Sequence, residues 1–343
     1  MSTLHCVLSR RWIVFLTGLL PWASAHAGPV PSDTLVFQQR PMIQTLNLGQ
    51  NYFGHDEQST ALNLFVPGPF QVYSGSFMAD DFAVKSSQPI SHVRWWGSYV
   101  DNVVNMGVNQ FLISFETDVP QAPVPFSRPG QPLLSQVVSL GSLVPGSGSF
   151  TEQFIHPGGA PLNEGLYEYN AALATPFVPI TNTVYWLKIV ALVNPSPPTG
   201  PPTLIWGWHN RDYTLEDTLA PKSPAVSPGE TGIFSPIPEV PPVWHFQDDA
   251  VSGDVRVTEQ TFPLPPLVTI EQSGFAQQNY RADVDGPPFI AQYSKDLAFE
   301  LYAIPEPATG LLLAVGLSCG VVYSIFWSSA ARRRTCIRRR FVC

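Results

Sequence analysis

The chain has 343 residues, of which 13% are charged, 12% are aromatic and 36 are proline, about twice the usual proline share of roughly 5%. Because 44% of the residues are apolar, the chain can bury a core, which excludes a wholly disordered protein. Residues 28–303 contain 10 basic and 25 acidic side chains, a net charge of −15 that excludes the basic face needed by a nucleic-acid partner.

The first 27 residues have the pattern of a secretory signal peptide. Arg10 and Arg11 form a basic n-region, and residues 12–20 (WIVFLTGLL) form a short apolar h-region. Ala25 and Ala27 supply the small residues of a cleavage site, so we expect signal peptidase to cut after Ala27. An uncleaved anchor is the alternative, but nine apolar residues are too few for a bilayer core that needs about 20.

Residues 28–75 are expected to be an N-terminal extension or the first strands of an exported domain that continues over residues 76–303. That domain has no cysteine, because Cys6 precedes it and the other three cysteines, at positions 319, 336 and 343, follow it. Thiol catalysis, cysteine-ligated zinc and disulfides are therefore excluded there.

The domain is predicted to be all-β. Short runs rich in β-branched and aromatic residues recur between turn formers, at residues 93–99, 111–117, 166–173, 184–192, 204–209 and 297–302. In the second run Phe111, Ile113 and Phe115 recur at period two, which predicts a half-buried strand. Many short strands separated by Pro, Gly and Ser favour a β-sandwich, jelly-roll-like in topology.

Residues 304–343 have a different pattern. Pro305, Glu306 and Pro307 precede the uncharged stretch 308–327, which as a helix would span about 30 Å and cross a bilayer. Arginines follow within a basic tail at residues 332–340, and the positive-inside rule places them in the cytoplasm. The exported domain is then expected outside, which agrees with the signal peptide.

This order of Pro-Glu-Pro, apolar helix and Arg332, Arg333 and Arg334 resembles the PEP-CTERM sorting tag. The resemblance implies recognition by an exosortase, a membrane cysteine protease that cuts near the box. It also implies transient residence in the inner membrane and a final place at the cell surface or in the extracellular matrix of a Gram-negative-type bacterium. The nine residues after Arg334 make the tail longer than is usual in that family. A plain membrane anchor is the alternative.

The exported domain also resembles an uncharacterised extracellular domain of planctomycete-type bacteria, over roughly residues 76–302. The matching blocks are residues 78–82 (MADDF), 94–97 (RWWG), 127–130 (SRPG), 185–187 (YWL) and 244–250 (WHFQDDA). The resemblance implies an exported β domain and no particular activity.

Residues that could carry chemistry are few. The sequence has no nucleophile elbow, zinc-protease motif, P-loop or dinucleotide fingerprint, so we expect no catalytic residue and no organic cofactor. Asp80, Asp81, Asp248 and Asp249 form two acidic pairs that could bind calcium, because hard cations take carboxylate oxygens from loops. The alternative is that each pair caps a local turn.

Three tryptophans are candidates for stacking against a sugar ring. Trp206 and Trp208 would share one strand face, with Gly207 exposing backbone between them, and Trp96 lies in another strand. The alternative is that these rings fill the core. We therefore expect a non-catalytic surface or matrix module that binds an extracellular polysaccharide. A structural surface protein is the second hypothesis, and a glycoside hydrolase with paired carboxylates is the third.

Overall fold

The structure is a computed structural model that describes residues 33–43, 54–100, 107–119, 126–156, 165–197, 203–212, 250–260, 266–278 and 295–305. These residues form strands and no α-helix. The strands are β1 Thr34–Gln39, β2 Asp56–Gln58, β3 Thr60–Asn63, β4 Phe70–Phe82, β5 Ile90–Tyr99, β6 Gln110–Val119, β7 Arg128–Leu140, β8 Ser149–His156, β9 Leu166–Phe177, β10 Tyr185–Val193, β11 Trp206–His209, β12 Val251–Gln260, β13 Leu267–Gln277 and β14 Phe299–Ala303.

All fourteen strands belong to one mixed sheet. Its order is β1-β14-β5-β9-β8-β7-β6-β10-β3-β4-β12-β13, and β11 joins β2 to β5. From β5 the sheet runs through β9, β8, β7 and β6 to β10 and then to β3. Only Ser59 separates β3 from β2, and β2 pairs with β11, which pairs with β5. The sheet therefore returns to the strand from which it started. The pairs β3–β10 and β7–β8 are parallel, and the other pairs are antiparallel.

The returning ladder encloses the main core. Its interior is rich in aromatic rings, including Trp95 stacked on Tyr169 at 5.4 Å between centroids and Phe115 stacked on Phe177 at 4.4 Å. Such rings bury much apolar area and gain further stabilisation from offset and edge contacts, about 0.5–1.5 kcal/mol for each pair. A large disulfide-free domain can be stabilised in this way.

A second core lies between β10 and the part of the sheet made by β4, β12 and β13. Every residue of β10 is buried: Leu187 and Ile189 face the first core, whereas Trp186 and Val190 face the second. Side chains alternate between the two faces of a strand, so a run that is apolar except for Lys188 fits a strand covered on both sides. β10 is therefore the wall shared by the two cores.

The prediction of an all-β domain is confirmed, and each of the six predicted runs lies wholly or largely in a strand. The prediction that the strand over residues 111–117 is half-buried is wrong. Phe111, Ile113 and Phe115 do share the first core, but Leu112 enters the second core and Glu116 is also fully buried. β13, which covers the second face of this strand, is remote in sequence. The periodicity of residues 111–117 therefore could not predict that this face is buried.

Residues at both ends of the domain are integrated into the sheet. β1, β2 and β3 come from the segment 28–75, and β14 pairs with both β1 and β5. The predicted signal peptide, with Ala25 and Ala27, lies outside the described residues, as do Glu306, Pro307, the stretch 308–327 and the arginine tail. Within the described ranges no helix is long and apolar enough to cross a membrane.

Candidate functional site

A row of polar side chains crosses the outer face of four neighbouring strands. Gln38 on β1 pairs with Glu300 on β14, Glu300 with Arg94 on β5, and Arg94 with Asn170 on β9. The residues between them in sequence, such as Trp95, point into the first core. The strand alternation that builds the core therefore also places these four side chains side by side.

Arg94 is the centre of this row. Its Nη1 donates to Oε2 of Glu300 at 3.0 Å, and its Nε donates to Oδ1 of Asn170 at 2.9 Å. Its Nε also lies 3.6 Å from Oε1 of Glu168, which accepts a 2.8 Å hydrogen bond from Nδ2 of Asn170. One guanidinium thus contacts two carboxylates. Charge-assisted hydrogen bonds of this kind are strong and fix the geometry of the side chains.

Two further side chains, those of Tyr302 and His92, contact this row. The hydroxyl of Tyr302 donates to Oε2 of Glu300, and its ring lies 5.4 Å from the guanidinium carbon of Arg94. Burial, together with the Glu300 carboxylate, raises the pKa of Tyr302 above its usual value of 10, so the phenol stays protonated. Burial lowers the pKa of His92 below 6.5, which favours the neutral imidazole beside Asn170.

A groove of about 330 Å³ opens next to the row. Its lining residues are Arg40, Pro41, Ile43, Trp96, Ile155, Glu168, Asp212 and Glu300. One wall is held by backbone hydrogen bonds, from Asp212 N to Arg40 O at 2.7 Å and from Met42 N to Asn210 O at 3.2 Å. The groove therefore combines apolar and polar groups on a wall that is already ordered, which is the usual make-up of a ligand site.

Trp96 is the aromatic residue of this groove. It lies directly across from Glu168 in the β5–β9 ladder and packs against Leu166 and Ala298. Only 5% of its surface is exposed, so only a small part of the indole is open to the groove.

Trp206 and Trp208 do share one face of β11, but it is the inner face. Both are fully buried; Nε1 of Trp206 donates to the hydroxyl of Tyr169 at 3.1 Å, and Nε1 of Trp208 donates to the carbonyl of Ala298 at 2.9 Å. This corrects the expectation that their rings could stack on a sugar, because no ring face is open to a ligand. Gly207 supplies close packing, since a Cβ there would lie 2.8 Å from Cβ of Asp56.

Asp80 and Asp81 lie at the end of β4 and are buried. Oδ2 of Asp80 accepts from Leu297 N at 2.8 Å, and its Oδ1 accepts from Asp81 N at 3.0 Å. Burial and the nearby carboxylate of Asp296 raise the pKa of Asp80 well above 3.8. Asp248 and Asp249 lie outside the described residues, and among the described ones no three His, Cys, Asp or Glu side chains form a metal-binding group. A calcium site stays a prediction.

The sequence did not predict a cluster of buried and partly buried ionisable side chains around β2 and β11. Asp56 pairs with His209 across 153 residues, Glu57 contacts both His55 and Lys295, and Arg211 Nη1 lies 3.4 Å from Oδ2 of Asp296. No local motif links these positions. The sequence indicates this cluster only indirectly, because its ionisable residues lie within or next to runs that predict strands.

Most of the described strands lie in a region that matches a known protein family. Residues 36–253, well over half of the chain, match a family described as a domain of unknown function, DUF7901. The chain belongs to this family. No curated protein and no solved structure gives a significant match to the DUF7901 chain.

The family match covers most of the sheet but not all of it. It begins within β1 and ends within β12, so β13 and β14 lie outside it. Even so, β14 supplies Glu300 to the groove and lies between β1 and β5. The structural unit of this DUF7901 protein therefore extends to residue 304 at least.

Proposed function

We propose that the chain is an exported binding protein whose β domain holds a segment of extracellular polysaccharide in the groove beside Trp96. The observation that carries this proposal is the placement of Trp96 directly across from Glu168, next to a hydrogen-bonded row centred on Arg94. An apolar indole edge suits the C–H groups of a pyranose ring. The carboxylates of Glu168 and Glu300 accept hydrogen bonds from sugar hydroxyls, and the guanidinium of Arg40, which also lines the groove, donates to them.

Binding is favoured over hydrolysis by the position of Arg94. A glycoside hydrolase needs one carboxyl group as an acid and another as a base or nucleophile. In the groove, Glu168 and Glu300 both contact the same guanidinium, which holds the two carboxylates in one hydrogen-bonded row. This arrangement supports a recognition role for both carboxylates. A structural surface protein without a ligand is the remaining alternative.

Polysaccharide binding can be tested with a glycan array probed by the purified chain, with and without calcium. We expect retained glycans and a loss of about tenfold in affinity for Glu168→Gln, which removes the charge but keeps the shape of a side chain that is 18% exposed. Trp96→Ala should weaken binding as well. Phe70→Ala removes an exposed aromatic ring outside the groove and should have no effect. If no glycan is retained, the structural alternative is favoured.

We also propose that the N-terminal segment directs export of the chain and that the C-terminal segment directs its sorting. Support comes from the signal-peptide pattern before residue 28 and from Pro305, Glu306 and Pro307 before the apolar stretch and arginines. In a Gram-negative host that makes an exosortase, the wild-type chain should be recovered outside the cell without its basic tail. Replacing Glu306 with alanine should leave uncut chain in the inner membrane. Cutting that is unchanged in this variant would contradict the sorting proposal.

The jelly-roll-like sandwich is a further part of the proposal. It is supported by the way β4, β12 and β13 cover β10 and enclose a second core. An experimentally determined structure compared with known sandwiches would test this classification.

A further inference from the structure

A second cavity, of about 520 Å³, opens where β6 begins and β10 ends. Val108, Leu192 and Leu204 are buried and give it apolar walls. Its polar side chains are those of Tyr73, Asn109, Gln110, Asn194 and Ser196. The volume falls within the range of about 300–1,000 Å³ that small-molecule sites occupy. The cavity shares no lining residue with the groove at Trp96.

The lining carries no formal charge. None of the residues that line this cavity is Asp, Glu, Lys, Arg or His, although the domain is strongly acidic. A charged ligand would lose hydration there without gaining an opposite charge. Amide side chains, by contrast, both donate and accept hydrogen bonds, and so do hydroxyls. The chemistry of the cavity therefore selects a neutral ligand that carries several donors and acceptors.

The hydroxyl of Tyr73 belongs to the same neutral set. It lies 2.5 Å from Oε1 of Gln71 and 3.2 Å from Oε1 of Gln110. Burial, with a smaller effect of the Glu259 carboxylate, raises the pKa of Tyr73 to about 12. The phenol therefore remains protonated at physiological pH and can act as both donor and acceptor.

Several of the polar groups are already held in place. Oδ1 of Asn194 accepts a 3.0 Å hydrogen bond from Nδ2 of Asn63, and the carbonyl of Asn109 accepts one from Leu140 N at 2.8 Å. Pro195 and Pro197 form part of the rim, and their rings fix the backbone angle φ. A site ordered before binding loses less conformational entropy when a ligand enters.

We infer that this cavity is a binding site for a neutral saccharide, separate from the groove at Trp96. A pyranose ring has C–H groups that can pack on Val108, Leu192 and Leu204, and hydroxyls at its rim that can bond to the amides. With both sites filled by one polysaccharide, the second contact would form at a high effective concentration. The inference rests on the lining of this cavity and not on the function proposed for the groove.

Isothermal titration calorimetry of the full chain, in a detergent without a sugar headgroup, tests the inference. The probes are maltose, cellobiose and N,N′-diacetylchitobiose, each at about 0.05 and 0.5 M NaCl. We expect at least one disaccharide to bind with an affinity that salt leaves unchanged. Asn194→Ala and Gln110→Ala should each weaken that binding about tenfold, and Trp96→Ala should not weaken it.

Asn194 is exposed, so its substitution should leave the melting temperature unchanged. Gln131→Ala, an exposed amide on β7 outside both sites, is the matched control and should bind as the wild type does. The inference is overturned if no probe binds up to about 10 mM, if binding depends strongly on salt, or if both cavity variants bind normally. Binding that is lost only in Trp96→Ala would assign the sugar to the groove and also overturn it. A different outcome would contradict the groove proposal alone. In that outcome, Trp96→Ala still binds the disaccharide, but the wild-type chain retains no glycan on the array.

Discussion

Nδ1 of His209 lies 2.9 Å from Oδ1 of Asp56, while Nε2 of the same ring lies 2.7 Å from the carbonyl oxygen of Met42. Both ring nitrogens therefore face acceptors, which suits a doubly protonated imidazolium. Burial by itself would lower the pKa of His209, but the Asp56 carboxylate and the Met42 carbonyl outweigh it and raise the pKa above 6.5. The second oxygen of Asp56 accepts from the hydroxyl of Ser98 at 2.6 Å.

The first prediction concerns the pH dependence of stability. Because the folded-state pKa of His209 is raised, its stabilising contribution is complete below pH 6.5 and is lost as the pH rises through the folded value. His209→Gln should therefore cost about 1.5–3 kcal/mol of unfolding free energy at pH 6 and less at pH 9. Urea unfolding of both proteins over this range measures the difference. A cost that grows with pH would contradict the assignment.

His92→Gln serves as a control of opposite sign. Burial lowers the pKa of His92, so its neutral ring contributes stability above pH 6.5, and that contribution is lost as the pH falls through the lowered value. The wild type should lose stability on this account as the pH falls below 6.5, and the variant should lose less. The same urea titrations report both effects.

The second prediction concerns the ion pair that is enclosed by the second core. Nζ of Lys188 lies 2.8 Å from Oε1 of Glu116 and 4.1 Å from the ring centroid of Phe77, and neither charged side chain is exposed. Gln272 donates to Oε2 of Glu116 at 3.0 Å. Lys188→Met leaves a buried carboxylate without its cation, and we expect a loss of about 3–5 kcal/mol.

The double variant Lys188→Met, Glu116→Leu removes both charges. It should recover most of that loss, because paired apolar residues of similar volume often replace a buried ion pair at little cost. Denaturant unfolding of the two single variants and the double variant completes the cycle. If the two single effects simply add, the pair is not coupled and this description of the core is wrong.

The same pair shows how far the sequence could predict the fold. On β6 the inward residues Phe111, Ile113 and Phe115 alternate clearly, so the strand and its first buried face were predictable. Ser114 and Glu116 have the appearance of a solvent-facing edge, yet they are buried with Lys188 under residues of β13. That contact joins positions 156 residues apart, and local periodicity contains no information on such a pairing.

The candidate site illustrates a similar limit. Trp96 was recognised as a possible ligand contact because it is a tryptophan in a strand, but the same reasoning selected Trp206 and Trp208, which lie inside the sheet. Only the closed ladder decides which strand faces point outward. Arg94, Glu168 and Glu300 were missed because their proximity depends on the cross-strand register between β14, β5 and β9.

The third prediction concerns the contact between Gly97 on β5 and β11. A Cβ added to Gly97 would lie 2.3 Å from the carbonyl oxygen of Gly207 and 2.4 Å from Cζ2 of Trp206, both of which are held in the sheet. Gly97→Ala should therefore destabilise the domain by about 1–3 kcal/mol or more. Gly141→Ala is the matched control, since its Cβ would make an ordinary contact at 3.6 Å. Equal melting temperatures for the two variants would show that β11 does not lie against β5 as described.

The last prediction concerns where the folded domain ends relative to the proposed sorting box. β14 lies between β1 and β5 and places Phe299 against Phe37 at 4.9 Å between ring centroids. Ile304 N still donates to the carbonyl of Pro89 at 3.0 Å, one residue before Pro305. A chain that ends after residue 304 should therefore keep the wild-type circular dichroism and melting temperature.

A chain that ends after residue 296 loses β14 and its two core residues Phe299 and Leu301. Each deletion of a large buried side chain costs about 2–5 kcal/mol, so their combined loss is comparable with the whole stability of a domain. We expect this shorter chain to be insoluble or unfolded, whereas the chain ending at 304 is folded. If both chains melt cooperatively at the same temperature, β14 is not an integral strand. A cut near Pro305 would then lie far from the folded core instead of at its edge.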